Sequence, residues 1–273
     1  MQSIADIREL LRQYGLRPRK RFGQNFLHDQ NQVRKLLDAA SVQPGDIVLE
    51  LGPGTGVLTE ALLESGAEVI ACEIDRDLAQ LIDDRLGNRL TLVRGDAIGK
   101  GRSLSADIVG AIAGRPFKLV ANLPYQIASP LMAELVLNHQ NCLGQFVTIQ
   151  KEVADRLAAQ PGTSDYGPLG IIVQAVADVQ RIGVVPASCF WPQPQVTSAM
   201  VSIRPIEASL PIGDRPAFAR FVTELFSKRR KQLGSIFGRN VQLPKGIDPD
   251  VRPETLTIPQ IKQLSDAIHA TGG

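Results

Sequence analysis

Val48-Leu-Glu-Leu-Gly-Pro-Gly-Thr-Gly56 decides how this chain folds: an apolar strand runs straight into a glycine turn. Glycines let the backbone bend sharply and pass close to a ligand, and a helix starting behind them offers unpaired N–H groups. A leucine-rich helical pattern, Leu58–Glu64, follows. The next apolar run ends in Glu73, 21 residues after Gly52. A carboxylate at that register can accept from both hydroxyls of a ribose. The dinucleotide fingerprint is not matched, because Val57 stands where its third glycine belongs. An adenosyl ligand without pyrophosphate therefore fits better than a nicotinamide dinucleotide. The plain alternative for Glu73 is a surface carboxylate at a strand end, and its register with the glycine loop weighs against that.

Outward from this unit, strand-like runs fall at Ile47–Leu51, Glu68–Cys72, Leu90–Val93, Lys118–Ala121, Gln145–Gln150, Gly170–Val176 and Thr197–Ile203. Helical patterns separate most of them: Leu58–Glu64, Arg76–Leu86, Ala128–Leu137 and Lys151–Ala159. Such alternation predicts an α/β fold with a mostly parallel sheet and helices on both faces. No helix separates the last two runs, which predicts an antiparallel edge. Upstream, Ile4, Ile7, Leu10, Leu11 and Tyr14 have helical spacing behind Ser3 as N-cap, and a second helix covers about Asp29–Ala40. After Arg204 the pattern changes. Pro205, Pro211, Gly213 and Pro216 break the chain, and Ala217–Phe226, Lys228–Phe237 and Ile258–Ala270 read as helices. The expected organisation is a ligand-binding α/β domain over 1–206 and a small all-α domain over 207–273.

The 273 residues carry a net charge of only +2, with 44% apolar and 21% charged residues, which excludes disordered and fibrous classes. The near-neutrality hides two basic ends. Residues 1–36 hold eight basic side chains against three acidic ones, and 220–245 hold seven against Glu224 alone. Two separated basic clusters point to a polyanion; solvated surface charge is the alternative for either alone. Cys72, Cys142 and Cys189, like the three histidines, are scattered, which argues against a disulfide framework and leaves no zinc spacing. The first residues lack a basic and then apolar leader, and no long uncharged apolar run follows, so a reduced, cytoplasmic protein without membrane contact is expected.

Three further segments carry chemistry. Arg94-Gly-Asp-Ala97 ends the third strand, where Asp96 can accept from the exocyclic amine of a bound adenine or simply close a turn. Asn122-Leu-Pro-Tyr125 follows the fourth strand. Methylating an exocyclic amine requires acceptors that hold its N–H bonds and free a lone pair otherwise delocalised into the ring. The Asn122 amide oxygen and the Leu123 carbonyl can supply them, Pro124 stiffens the turn, and Tyr125 offers a face to a base. Asn has no useful pKa, so this is positioning and not general-base chemistry. An ordinary N-x-P turn with a core tyrosine is the alternative. Phe190-Trp-Pro-Gln-Pro-Gln-Val-Thr-Ser198 is a proline-fixed aromatic loop that could set Phe190 on the other face of the base, or merely pack on the sheet edge.

Together these segments resemble the small-subunit ribosomal RNA adenine dimethyltransferase family, relatives of the macrolide-resistance rRNA methyltransferases. The resemblance lies in Arg19-Lys-Arg-Phe-Gly-Gln-Asn-Phe-Leu27, Glu50–Gly56, Glu73, Asp96, Asn122–Tyr125, Phe190–Ser198 and Phe226-Ser-Lys-Arg-Arg-Lys-Gln-Leu233. It implies a class I S-adenosylmethionine-dependent methyltransferase without a metal. The expected product is N6,N6-dimethyladenosine at two adjacent positions in a hairpin loop near the 3′ end of small-subunit rRNA. By motif matching, Asn25, Leu27, Gly52, Glu73, Asp96 and Asn122 would bind the cofactor, under an N-terminal block that covers it. Leu123, Pro124, Tyr125 and Phe190 would complete the catalytic pocket. Arg19, Lys20 and Arg21, with Lys228, Arg229, Arg230 and Lys231, would contact rRNA within the small subunit or a late assembly intermediate. Nothing in the chain suggests more than a monomer. Two alternatives stand: a methyltransferase for large-subunit rRNA or DNA adenine, and a non-catalytic RNA-binding assembly factor.

Overall fold

The computed structural model describes residues 2–206, 210–238 and 243–271. The chain opens with α1 (Ile4–Gln13), whose N-terminus carries a capping box: Ser3 accepts from the Asp6 N–H while Asp6 accepts from the Ser3 N–H. β1 (Phe26–Leu27) and α2 (Gln30–Ala40, capped by Asp29) lead into the alternation. It runs β2 (Ile47–Leu51), α3 (Val57–Glu64), β3 (Glu68–Glu73), α4 (Arg76–Leu86), β4 (Thr91–Arg94), α5 (Ala106–Ile112), β5 (Phe117–Asn122), α6 (Tyr125–Asn138), β6 (Cys142–Gln150) and α7 (Lys151–Leu157). Then come α8 (Pro168–Gln174), β7 (Ala177–Val185), β8 (Phe190–Trp191), β9 (Ser198–Pro205), α9 (Arg215–Ser227), α10 (Leu233–Phe237) and α11 (Ile258–Thr271).

The main sheet has the order β4-β3-β2-β5-β6-β9-β7. Strands β2 to β6 are parallel, while β9 runs antiparallel to both β6 and β7. Every residue of β2 is buried, as a strand covered by helices on both faces requires. The chain winds outward from β2 to β4 and then returns to place β5 on the other side of β2. That reversal opens a crevice beyond the carboxyl ends of β2 and β5, where open α/β sheets take their ligands. Leu49, Leu51, Leu119 and Val147 pack with α5 and α6 on one face; Val48, Val120 and Phe146 pack with α1 to α4 on the other. A third core joins Tyr166, Ile171 and Ile172 to Phe218, Val222, Leu256 and Ile261, so α8 packs against the C-terminal helices.

Two expected elements are corrected. Gly170–Val176 is not a strand but lies mostly in α8, and the edge strand begins at Ala177. Pro168 in the first helical turn starts the helix, and burial of Gly170 to Val173 between two cores makes the run apolar all round, erasing its periodicity. Gly170 is where α8 meets α7: a Cβ there would stand 2.3 Å from the Arg156 carbonyl oxygen. The antiparallel edge is present, formed by β9 and β7. Lys228–Phe237 is not one helix either. Helix α9 ends at Ser227, residues 228–232 form turns, and α10 starts at Leu233, whose N–H donates to the Val251 carbonyl while that of Gly234 donates to Pro249. Those tertiary bonds replace the helical ones that continuous propensity would have made.

Candidate active site

A cavity of about 190 Å³ opens at the crevice beyond β2 and β5. Its floor is the glycine turn. Gly52, Gly54 and Gly56 all have left-handed φ, at 71°, 60° and 87°. Gly54 also admits a close approach: a Cβ on it would lie 2.8 Å from the Phe26 ring. Two buried carboxyls face the cavity. Glu73, 5% exposed, ends β3; its Oε1 accepts from the Asp75 N–H at 2.9 Å and its Oε2 from the Gly54 N–H at 3.4 Å. Burial pushes its pKa up to about 7, against the pull of those N–H donors. Glu50, 2% exposed, accepts from the Thr59 hydroxyl at 2.7 Å, and burial pushes it up to about 8. Asp96 lines the cavity from an exposed turn, where Oδ1 accepts from the Ile98 N–H at 2.9 Å. The turn-closing role is thus present, with the second carboxylate oxygen available as a further acceptor.

Asn122 ends β5. Its Nδ2 donates to the Asn25 carbonyl at 3.0 Å, which leaves Oδ1 as the end offered to an incoming donor. The Leu123 N–H donates to the Thr148 carbonyl at 3.1 Å, extending the β5–β6 pairing by one residue beyond the strand end. Pro124 stands as N-cap of α6, and Tyr125 opens that helix with its hydroxyl 2.7 Å from Ser198 Oγ. The sheet, the helix start and β9 therefore fix the tetrapeptide from three sides. The wall opposite is the segment Phe22–Leu27, which includes Asn25 and Leu27.

The fold brings together Asn25, Leu27, Gly52, Glu73, Asp96, Asn122, Leu123, Pro124 and Tyr125 around one cavity. Phe190 does not join them. It is 1% exposed, opposite Leu27 in the short β1–β8 ladder, and its ring belongs to the core; the aromatic residues lining the cavity are Phe22, Phe26 and Tyr125. The cations divide too. Arg19 pairs with Asp75 and Asp77, whereas Lys20 and Arg21 are exposed, with the Arg21 guanidinium 4.6 Å above the Phe22 ring. Lys228 lies 3.9 Å from Glu224 and Arg229 3.7 Å from Glu254, while Arg230 and Lys231 stand exposed on the turns.

Residue-level reasoning missed Glu50, Thr59, Gln24, Asp75 and Ser198. Asp75 carries a helix N-cap signal before Arg76, but its contact with Arg19, 56 residues away, leaves no local trace. Among the described residues no group of three or more His, Cys, Asp or Glu is placed to hold a metal ion, and no helix is long and apolar enough to cross a membrane. The arrangement suits a ligand with a diol at Glu73 and an amine donor at Asn122.

Comparison with known proteins agrees with that geometry. The family model described as ribosomal RNA adenine dimethylase matches residues 15–269. The chain is 41% identical over 275 residues to ribosomal RNA small subunit methyltransferase A of Phenylobacterium zucineum, covering 98% of this chain and 94% of the relative. It is 37% identical over 290 residues to the protein of the same name from Pelotomaculum thermopropionicum, covering 99% and 98%. Among solved structures, a dimethyladenosine transferase from Plasmodium falciparum superposes with a TM-score of 0.74 at 27% identity, over 90% of this chain and 98% of that one. The 23S rRNA methyltransferase ErmE shares the fold, with a TM-score of 0.66 at 22% identity over 90% and 100%.

Proposed function

The chain belongs to the ribosomal RNA adenine dimethylase family, an rRNA adenine dimethyltransferase of the class I fold, and from that premise we propose how its cavity works and on which RNA. The reading is S-adenosylmethionine-dependent N6,N6-dimethylation of two adjacent adenosines in the hairpin loop near the 3′ end of small-subunit rRNA, in the small subunit or a late assembly intermediate. The observation that carries it is Asn122, held by its own amide nitrogen with its oxygen left over, in the lining of a cavity that also holds the buried Glu73 carboxyl.

The residues present fit an adenosyl ligand. Glu73 has a carboxylate already aimed by two backbone N–H groups, and Gly52 and Gly54 keep open a floor where Cβ atoms would meet Pro124 and Phe26. Gly52, Glu73 and Asp96 would hold the floor, ribose and adenine, with Asn25 and Leu27 closing over them. The bound cofactor supplies an electrophilic methyl group. Asn122 Oδ1 and the Leu123 carbonyl accept from the target amine, so its lone pair points outward from the ring and is free to attack. Neither group needs to take a proton before the transfer. As the N–C bond formed, the methyl group's bond to sulfur would break, S-adenosylhomocysteine would leave, and the cationic nitrogen would give its proton to solvent, a direct displacement that calls for no metal. The Tyr125 ring, fixed through Ser198, offers the flipped base a stacking face. Phe190 supports β1 from the core and serves the site through Leu27.

Residues 1–206 are proposed as the methyl-transfer domain and 207–273 as an rRNA-contacting helical domain; 207–209 lie outside the described residues. Lys20, Arg21, Arg230 and Lys231 are the exposed cations proposed to meet phosphates. A cytoplasmic monomer completes the reading. Incubating the protein with radiolabelled S-adenosylmethionine and, separately, under-methylated small subunits, large subunits and adenine-containing DNA tests it. Label in small subunits alone supports the proposal; label in large subunits or DNA replaces the substrate, and label in none leaves a non-catalytic RNA-binding factor.

A further inference from the structure

Arg19 belongs to the N-terminal basic stretch, yet its guanidinium is spent inside the protein. Nη1 donates to Asp75 Oδ1 at 2.7 Å, Nη2 pairs with Asp77, and the Arg19 backbone N–H donates to Gln24 Oε1 at 2.7 Å. Gln24 Nε2 in turn donates to Asp75 Oδ2 at 2.8 Å. Asp75 is 3% exposed, accepts from the Asp77 N–H as cap of α4, and donates its own N–H to Glu73 Oε1. One buried carboxylate thus ties segment 19–24 to the side chain proposed to take the ribose. The segment is tied at its other end as well, where the Asn25 carbonyl accepts from Asn122 Nδ2. Phe22–Leu27, which carries Gln24 of the first tie and Asn25 of the second, lines the cavity as its roof.

An asparagine amide has one donating and one accepting end. While the roof is down, the Asn25 carbonyl claims the donating end and the accepting end faces the target amine. With the roof lifted the amide is free to turn, and the reversed orientation sets N–H against N–H. The acceptor geometry at Asn122 therefore depends on the roof. We propose that Asp75, acting through Arg19 and Gln24, is a positioning residue for methyl transfer: it latches the roof so that Asn25 orients Asn122 and the adenosyl ligand is retained. The inference rests on the reading of the cavity given above. The latch is charge-assisted on a buried carboxylate, yet the guanidinium side of it is partly exposed, so it holds firmly enough to order the segment and opens readily enough to exchange product for cofactor. It also removes Arg19 from the set of RNA contacts.

The test compares Arg19→Met, Asp75→Asn (which keeps an acceptor for the α4 cap) and the double variant with the wild type. Trp191, the single tryptophan, lies 6.4 Å from the Phe26 ring and reports on the roof by fluorescence. Both single variants are expected to speed amide hydrogen exchange in 19–24 of the ligand-free protein, and to raise the S-adenosylmethionine dissociation rate, each by about tenfold. The double variant adds little to either single one. Single-turnover transfer falls at saturating cofactor, while the salt dependence of small-subunit binding stays that of the wild type. Wild-type exchange and dissociation rates in the variants would overturn the latch, and so would a lower salt slope for Arg19→Met with unchanged cofactor dissociation. A wild-type protein that fails to bind S-adenosylmethionine would overturn the reading of the cavity together with the latch.

Discussion

Burial sets the chemistry of Glu73 and Glu50, whereas a hydrogen bond to the Asn25 carbonyl orients the half-buried Asn122. Glu73 is raised to about 7 in the ligand-free protein, so near neutrality it is partly protonated. Its ionised form is the stronger acceptor for two ribose hydroxyls, and cofactor binding therefore favours losing the proton. Affinity for S-adenosylmethionine is expected to climb as pH rises toward about 7 and to level off above it; calorimetric titration across that range checks this, and Glu73→Gln flattens the curve. Glu73→Ala should cost roughly 1.5–3 kcal/mol of binding, about ten- to over a hundredfold. On the proposed reading Asn122→Ala removes an acceptor for the reacting amine, so the loss is expected on the single-turnover rate, by a few kcal/mol of barrier, with subunit affinity nearly kept. Glu50 shows the stability side of the same physics. Its folded pKa of about 8 lies above the usual 4.5, so the stability it contributes as a neutral group is full below about 4.5 and is lost as pH rises through about 8. Glu50→Gln should be the more stable protein above that pH, and thermal melts on both sides of pH 8 measure the crossover.

At the scale of elements, what was legible in the sequence is what a local pattern carries. The strand into Gly52, the helix Arg76–Leu86 with matching ends, and the Ser3 N-cap are written in neighbouring residues. So is the crevice, because strand-helix alternation already implies a parallel sheet with its loops at one end. The edge was misplaced by seven residues since an apolar run buried on every side has no period. Phe190 was legible as an aromatic in a stiff loop but not as core, because its burial comes from β1, more than 160 residues earlier in the chain. The basic stretch after α9 is a turn and not a helix start, which leaves Arg229, Arg230 and Lys231 exposed, with Arg229 near Glu254 and the half-buried Lys228 near Glu224. Replacing Arg230 and Lys231 with Ala should weaken small-subunit binding and flatten its salt dependence by about 0.7–0.9 log units per lost phosphate contact. Binding measured across a salt series checks it, and S-adenosylmethionine affinity should not move.

Over the whole molecule, three cores set the division of labour. Two of them clamp the sheet and hold the ends of β2, β3 and β5 in register, which places Glu73 and Asn122 in the lining of one cavity. The third binds α8 to the C-terminal helices and carries the exposed cations Arg230 and Lys231 on a separate surface. On the proposed reading, RNA affinity and chemistry would be served by different parts of the chain, with phosphate contacts fixing register while the cavity reads one unstacked base. Net charge near zero with basic ends suits that scheme, since attraction is confined to where the polyanion lies. On the proposed reading the Asn122 cavity places two methyl groups on each of two adjacent adenosines. Under-methylated small subunits incubated with the wild type or Asn122→Ala, followed by fragment mass spectrometry of the 3′-terminal hairpin, test it directly. The expected result is N6,N6-dimethyladenosine at both positions with the wild type and unmodified adenosine at the same time point with the variant. Full dimethylation by Asn122→Ala at the wild-type rate, or modification elsewhere in the RNA, would contradict it.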